Sequence, residues 1–281
     1  MKRIDYKVEY YAKAFIRSIP IIIRLQLILF KNPIAKPDSS RGEMPEIIVC
    51  LKQIYDLGQI RIDTSSKRPI TEGAARKLSD FDKNALEEAL RIKEKYGGKV
   101  IAIIRGTKDA AKEVLAMGAD EAFIYQYTEE IDHLGIAAIL AGFIQKLKYD
   151  LILCGEASID EYSFQTGPRL AQALGIPVLT YARKVELKDG EIIAERELEN
   201  RYEVSKTKLP ALVTVTKEIN QPRIPTLLQI LGASKKKITE MSPLKPEVGV
   251  ETLSILAVEM KRKEVMVKDI QEIARVILSE K

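Results

Sequence analysis

From Met44 onward, short apolar runs alternate with stretches in which apolar residues recur every three to four positions. The runs 47–51, 100–104, 121–125 and 151–154 read as buried strands, and 82–96, 108–117, 132–147 and 167–174 as helices. Strand followed by helix, repeated, predicts a mostly parallel sheet with helices on both faces. Ser79-Asp80 precedes the first periodic stretch and is placed to cap that helix. Between Ala182 and Glu203 the pattern changes. Val185-Glu186-Leu187 and Glu191-Ile192-Ile193 flank Lys188-Asp189-Gly190, which predicts a β-hairpin around an Asp-Gly turn. Leu209-Pro210-Ala211-Leu212-Val213-Thr214-Val215 predicts a returning strand. Gln221-Pro222-Arg223-Ile224-Pro225 breaks the pattern, and an irregular stretch is expected to about Ser254. Residues 265–278 close the chain as an amphipathic helix, with Val267, Ile270, Ile273, Ala274 and Ile277 at helical spacing. A tail helix set apart from the sheet by a long irregular stretch suits an arm that grips a partner.

Residues 1–43 follow neither rhythm. The apolar run 19–30 is interrupted by Arg24 and falls short of the roughly 18–20 residues needed to span a bilayer. No small-residue cleavage site follows it. The segment reads as a dispensable extension or a mis-assigned start, with a membrane-surface helix as the alternative. Three parts result: the basic, apolar extension 1–43, an α/β domain over 44–240, and a C-terminal arm and helix over 241–281.

Charge removes several function classes. The net charge of +5 arises in the extension, where nine Lys or Arg face four Asp or Glu, leaving 36 of each sign in the remainder. No global basic field points to nucleic acid. Hydrophobic residues at 46% and charged residues at 30% describe a globular chain with ample core. Cys50 and Cys154, without metal-type spacing, fit a reducing cytoplasm. His133 is the sole histidine, which rules out His-based triads and multi-His metal sites, and it reads as structural. The chain has no P-loop Gly-Lys-Ser/Thr, no Gly-x-Gly-x-x-Gly, no Cys-x-x-Cys and no Gly-x-Ser-x-Gly. A chain without these signatures can bind a cofactor and still perform no acid–base chemistry.

The most informative stretch runs from Gly155 to Gly167: Gly-Glu-Ala-Ser-Ile-Asp-Glu-Tyr-Ser-Phe-Gln-Thr-Gly. It leaves a buried strand and enters a helix. Helix N-termini offer free N–H groups and partial positive charge to a phosphate. Open α/β sheets bind ligands off the carboxyl ends of their strands. A nucleotide is therefore expected at this loop; an ordinary helix cap is the alternative.

Five pieces in register, over roughly 190 residues, resemble the β subunit of electron-transferring flavoproteins. They are Val49-Cys50-Leu51-Lys52-Gln53, the run 79–89 beginning Ser-Asp-Phe-Asp-Lys-Asn, Leu115-Ala116-Met117-Gly118-Ala119-Asp120, the Gly155–Gly167 loop, and Leu209 to Val215 with Asn220-Gln221-Pro222-Arg223. The resemblance implies an α/β fold of the adenine nucleotide hydrolase-like, Rossmann-like kind, with a β-hairpin insertion and a partner-gripping arm. It implies a heterodimer with an α subunit and an FAD shared with that subunit. It further implies that electrons pass from acyl-CoA or other dehydrogenases to a quinone oxidoreductase, as in fatty acid oxidation, with membrane contact at most peripheral. Most relatives bury a structural AMP in this chain; an electron-bifurcating branch holds a second FAD there and oxidises NADH. A flavin-free nucleotide-binding protein of the same superfamily and a scaffold with a vestigial loop are the remaining readings.

Carried onto this sequence, the resemblance puts Cys50 where the first strand offers backbone to adenine. Ser79, Asp80, Phe81 and Asp82 occupy a second nucleotide loop, with Ser79-Asp80 replacing the common Asn-Pro. Arg105 ends a strand where small residues are frequent, placed either to pair with a phosphate or to lie over the sheet edge. Asp160, Ser163, Phe164, Gln165, Thr166 and Gly167 form the main loop, with Thr166 and Gly167 the expected phosphate contacts. The bulk of Glu161, Tyr162 and Phe164 favours AMP; Pro168 and Asp82-Lys83-Asn84-Ala85 favour the second FAD. Phe81 and Leu57 approach the partner's flavin, Leu57 equally serving as core. Leu227 docks into partner dehydrogenases or is the buried face of a short helix. Lys235-Lys236-Lys237 is a solvated run that steers an acidic partner.

Overall fold

The computed structural model describes residues 44–127, 131–243, 245–246, 249–258, 267 and 269–279. The readings of 1–43 lie outside the described residues, as do 265, 266 and 268 of the closing helix. Strand β1 (Glu46–Tyr55) is followed by the two-stranded ribbon β2 (Arg61–Ile62) and β3 (Pro69–Ile70), by β4 (Arg76–Leu78) and by helix α1 (Asp80–Tyr96). Then come β5 (Lys99–Arg105), α2 (Lys108–Met117), β6 (Glu121–Tyr125), α3 (His133–Ile144), β7 (Leu151–Gly155) and α4 (Thr166–Leu174). The chain continues through β8 (Val178–Lys188), β9 (Glu191–Leu198), β10 (Arg201–Lys208), β11 (Ala211–Val215), α5 (Leu227–Ala233), β12 (Ile238–Glu240) and α6 (Ile270–Ser279).

The main sheet has the order β10-β9-β8-β11-β7-β1-β5-β6-β12, with β4 antiparallel to β1. Strands β8 through β12 of that order pair in parallel, and β9 and β10 extend the sheet antiparallel. Alternation within β1 splits the core. Ile47, Val49 and Leu51 pack with α1 and α2 on one face, while Ile48 and Cys50 pack with α3 and α4 on the other. Strands buried on both faces read as continuous apolar runs, which is why β1, β5 and β7 stand out in the sequence.

Several expectations change. The hairpin exists, with Asp189 and Gly190 both at positive φ as a primed turn demands. It extends the main sheet: β8 pairs with β11 through its first half and, past a bulge near Ala182, with β9 through its second. The stretch expected to be irregular from 221 contains α5 and β12. Ser79 precedes α1 but makes no side-chain cap, and its hydroxyl is buried without a partner. No helix among the described residues is long and apolar enough to cross a membrane.

Candidate functional site

Strands β5, β6 and β12 lie successively to one side of β1, whereas β7, β11 and β8 lie to the other. The strand order therefore reverses between β1 and β7, where the carboxyl ends part and leave a crevice. A cleft open to solvent occupies that place. Its floor is Cys50 to Lys52 and Cys154 to Ser158, one side wall is Ile136, Leu140, Tyr125 and Arg105, and the other is Ser163 to Thr166.

The floor is tied from beneath. Asp82, on the first turn of α1, accepts the Lys52 N–H at 2.8 Å and also bonds the Gly155 N–H, joining β1 to β7. Burial pushes its carboxyl up to about 7, against the pull of those two N–H groups and of Lys52. Gly155 is required there: a Cβ would lie 2.7 Å from Asp82 Oδ1 and 2.8 Å from Phe81 Cβ. Cys50 and Cys154 are register partners on adjacent strands, both buried and reduced. The Cys50 thiol and burial hold Cys154 well above its ordinary value, which disfavours its thiolate.

The rim is a charge cluster. Lys52 Nζ lies 2.8 Å from both Asp160 Oδ2 and Glu161 Oε1. Burial raises the Asp160 carboxyl, but the bonds from Lys52 and Ser158 outweigh it and leave the group below its ordinary value. His133 Nδ1 stands 3.3 Å from Thr166 Oγ1 and 3.5 Å from Ser163 Oγ, and its Nε2 lies 3.7 Å from Glu161 Oε2. Glu156 is pushed up to about 7 by burial and by the charges of Glu218 and Glu197. Arg105 ends β5 at the cleft wall, and among the described residues no acceptor hydrogen-bonds its guanidinium.

Aromatic rings line the loop. Phe81, Tyr162, Phe164 and Tyr181 follow one another with centroids 6.0, 4.8 and 5.9 Å apart. Tyr162, Phe164 and Tyr181 all have positive φ, a conformation that costs bulky residues free energy. Thr214 Oγ1 accepts the Tyr181 N–H at 3.1 Å, which helps to hold one of them.

Of the residues expected at a nucleotide site, Cys50, Asp82, Arg105, Ser163, Phe164, Gln165 and Thr166 share this cleft. Asp160 stands behind it through Lys52. Gly167 faces β11, where a Cβ would lie 2.4 Å from Thr214 Cγ2. Ser79, Asp80 and Phe81 lie at the start of α1 beneath the floor, Leu57 is exposed on a turn after β1, and Leu227 is exposed on α5. Sequence reasoning missed Lys52, Tyr125, Glu156 and the place of His133 beside Thr166. Its being the only histidine was the available signal for the last. Lys235, Lys236 and Lys237 are all exposed, and the Lys236 ammonium in addition bonds the Leu115 and Ala119 carbonyls.

A family model described as an electron transfer flavoprotein domain matches residues 69–246. The electron transfer flavoprotein subunit β of Thermoanaerobacterium thermosaccharolyticum is 43% identical over 196 residues, 68% of this chain and 75% of that protein. The caffeyl-CoA reductase-Etf complex subunit CarD of Acetobacterium woodii is 39% identical over 200 residues, 69% of this chain and 76% of that protein. The human electron transfer flavoprotein subunit β is 35% identical over 221 residues, 75% of this chain and 86% of that protein.

Proposed function

We propose, from the premise that this chain belongs to the electron transfer flavoprotein family as a β subunit, that it pairs with an α subunit, holds AMP in the β1–β7 cleft and walls one side of an FAD carried mainly by that partner. Electrons enter from acyl-CoA or other dehydrogenases and leave to a quinone oxidoreductase in the cytoplasm. FAD supplies the redox chemistry, and AMP supplies none.

The observation that carries the nucleotide is the Arg105 guanidinium, which has no hydrogen-bond acceptor among the described residues, in a cleft that also presents the Ser163 and Thr166 hydroxyls. A guanidinium and hydroxyls converging at the start of a helix suit a phosphate monoester. The Cys50 and Leu51 backbone and the apolar faces of Ile136 and Leu140 suit a planar base. Asp82 and the Lys52 pairs fix the two strand ends so that these donors keep their spacing. On the outer side, Phe81 and Leu57 offer the partner's flavin an apolar wall that excludes water. Leu227, 72% exposed, is the anchor for a donor dehydrogenase.

A second reading places a further FAD in this chain. A hollow lined by Lys108, Gln126 and Glu240 to Pro243 shares Tyr125 with the cleft and offers room for a larger dinucleotide. The test is the nucleotide content of the heterodimer, denatured after co-expression with its α subunit. One FAD and one AMP per dimer supports the simple carrier. Two FAD and no AMP supports the second reading. A dimer without flavin defeats both.

A further inference from the structure

Helix α5 should not be stable as it stands. Only Ala233 of its seven residues is buried, while Leu227, Leu228, Ile230 and Leu231 are 72, 80, 50 and 59% exposed. Isolated helices shorter than about 12–15 residues are marginal in water, and helices in proteins are normally held by burial of an apolar face. This one turns its apolar residues outward. A capping box between Thr226 and Gln229 orders its first turn but does not attach it to the domain.

Ala233 seats the helix in the core alongside α2, and two cations flank that contact. Before α5, Arg223 Nε donates to Glu87 Oε2 at 2.7 Å, and its Nη2 reaches Glu87 Oε1 at 3.1 Å and Glu94 Oε2 at 3.2 Å. The Arg223 N–H also donates to Glu87 Oε2 at 3.1 Å. Glu87 is 4% exposed, so the fork binds a carboxylate withdrawn from water, where such bonds are strong. Next to it, Asn220 bonds Asn84 and Glu88, also on α1. After α5, Lys236 Nζ donates to Ala119 O at 2.7 Å and Leu115 O at 3.1 Å. The Leu115 carbonyl is in the last turn of α2 and Ala119 follows just past its C-terminus, where a cation also meets the negative pole of the helix. Desolvation lowers the Lys236 pKa, as expected for an ammonium turned inward. Lys235 and Lys237 make no such contact among the described residues.

We propose that Arg223 and Lys236 are positioning residues that hold α5 as a preformed apolar platform for the donor dehydrogenase. The inference rests on the docking role given to Leu227 above. The occupant is a redox protein with an apolar pocket and an acidic rim, because four exposed aliphatic side chains are followed by the exposed Lys235 and Lys237. A preformed helix spares the complex the cost of ordering that segment on contact. Lys236 thus acts through α5, whereas a merely solvated lysine run acts through its charge.

Amide hydrogen exchange of peptides covering 227–233, measured on the intact heterodimer, separates the two. Lys236→Met keeps the aliphatic stem and removes the carbonyl bonds. It should speed exchange there about tenfold, the factor that corresponds to losing one hydrogen bond from a charged donor. Lys235→Met and Lys237→Met should leave exchange unchanged, and Lys236→Arg should restore it. With an acyl-CoA dehydrogenase and its acyl-CoA as donor, Lys236→Met should raise the KM for the flavoprotein about tenfold and leave kcat near that of the parent. Unchanged exchange in Lys236→Met would overturn the proposal. So would equal KM increases in all three Met variants that vanish at high salt, which is the mark of steering. If Leu227→Ala leaves the KM unchanged, the docking reading fails, and exchange alone still decides the clamp.

Discussion

The space a methyl group would need at Gly167 is already taken by Thr214. The missing Cβ would lie 2.4 Å from Thr214 Cγ2, a distance that forces something to move. Thr214 is not free to turn aside, because its hydroxyl accepts the N–H of Tyr181, held at positive φ. Gly167→Ala should therefore cost about 1–3 kcal/mol of stability, the range of core overpacking. Thr214→Ser removes the offending methyl and keeps the hydroxyl, so the double variant should recover most of the loss in urea unfolding. A double variant no more stable than Gly167→Ala would point to another cause. The glycine that reads in sequence as a phosphate contact thus has a packing reason of its own. Glu156 makes a prediction of a different kind. Its folded pKa of about 7 lies above the roughly 4.3 of an unperturbed glutamate. Between those values the folded protein holds a proton that the unfolded chain has released, so stability falls as pH rises from about 4 to about 7 and then levels. Asp82, also near 7, adds in the same direction and window. Glu156→Gln should raise Tm by about 3 °C at pH 8, where the carboxylate's repulsion by Glu218 and Glu197 is removed, and change little at pH 4. Equal shifts at both pH values would count against a titration of Glu156.

Elements that bury a whole face announce themselves, and those that do not stay hidden. The bounds of α2 and β6 coincide with the apolar runs because α2 buries its apolar face in one core cluster and β6 is buried between the two. Strand β10 is the outer edge of the sheet, and its residues are half-buried or exposed, so it leaves no apolar run in the sequence. Strand β12 is three residues long and follows three lysines, and α5 has only seven residues, two turns in which helical periodicity has little length to show itself. The cleft was legible as a loop between strand and helix, since that order is local in sequence. Its far wall was legible only in part: Arg105 followed from the resemblance, whereas Tyr125, and His133 behind Ser163 and Thr166, come from elements set by the sheet order, which no local pattern encodes. The arm shows how such elements are joined. Asp132 Oδ1 caps α3 through the Gly135 N–H at 2.8 Å, while Oδ2 accepts the N–H groups of Gly249 and Val250 at 2.9 and 3.0 Å. One carboxylate thus serves a helix end and the C-terminal segment. An Asn has a single acceptor oxygen and can serve only one. Asp132→Asn should keep the α3 cap, with Tm altered by less than the effect of Asp132→Ala, which loses about 1 kcal/mol. It should release the arm, read as faster proteolysis within 249–258. Proteolysis at the parent rate would mean that other contacts, such as the Ala257 N–H to Lys67 carbonyl bond, suffice.

At the scale of the molecule, the sheet is two half-sheets that meet at β1 and β7, and the cleft lies on the seam. Asp82 crosses that seam from below, and Lys52 crosses it at the rim by reaching Asp160 and Glu161 in the loop after β7. A nucleotide seated there touches both halves and adds a third crossing, so its binding should stabilise the fold as a whole. A ligand that binds only the folded state adds RT ln(1 + [L]/Kd), about 2.7 kcal/mol at a hundredfold excess over Kd. For a domain of this size that is a rise of roughly 5–10 °C in Tm. AMP added to heterodimer freed of nucleotide should produce that rise. Arg105 separates the ligand's contribution from the fold's own. Among the described residues its guanidinium has no hydrogen-bond acceptor, so no hydrogen bond described in the fold depends on it. Arg105→Gln should leave the Tm without AMP within the about 0.5 kcal/mol typical of neutral surface changes. It should weaken AMP binding about tenfold or more, the loss of a charge-assisted contact to phosphate, and shrink the AMP-induced rise accordingly. Adenosine, which lacks the phosphate, should bind the parent and the variant alike. An Arg105→Gln variant that melts lower without ligand yet keeps the full AMP shift would move Arg105 from the nucleotide to the structure of the seam.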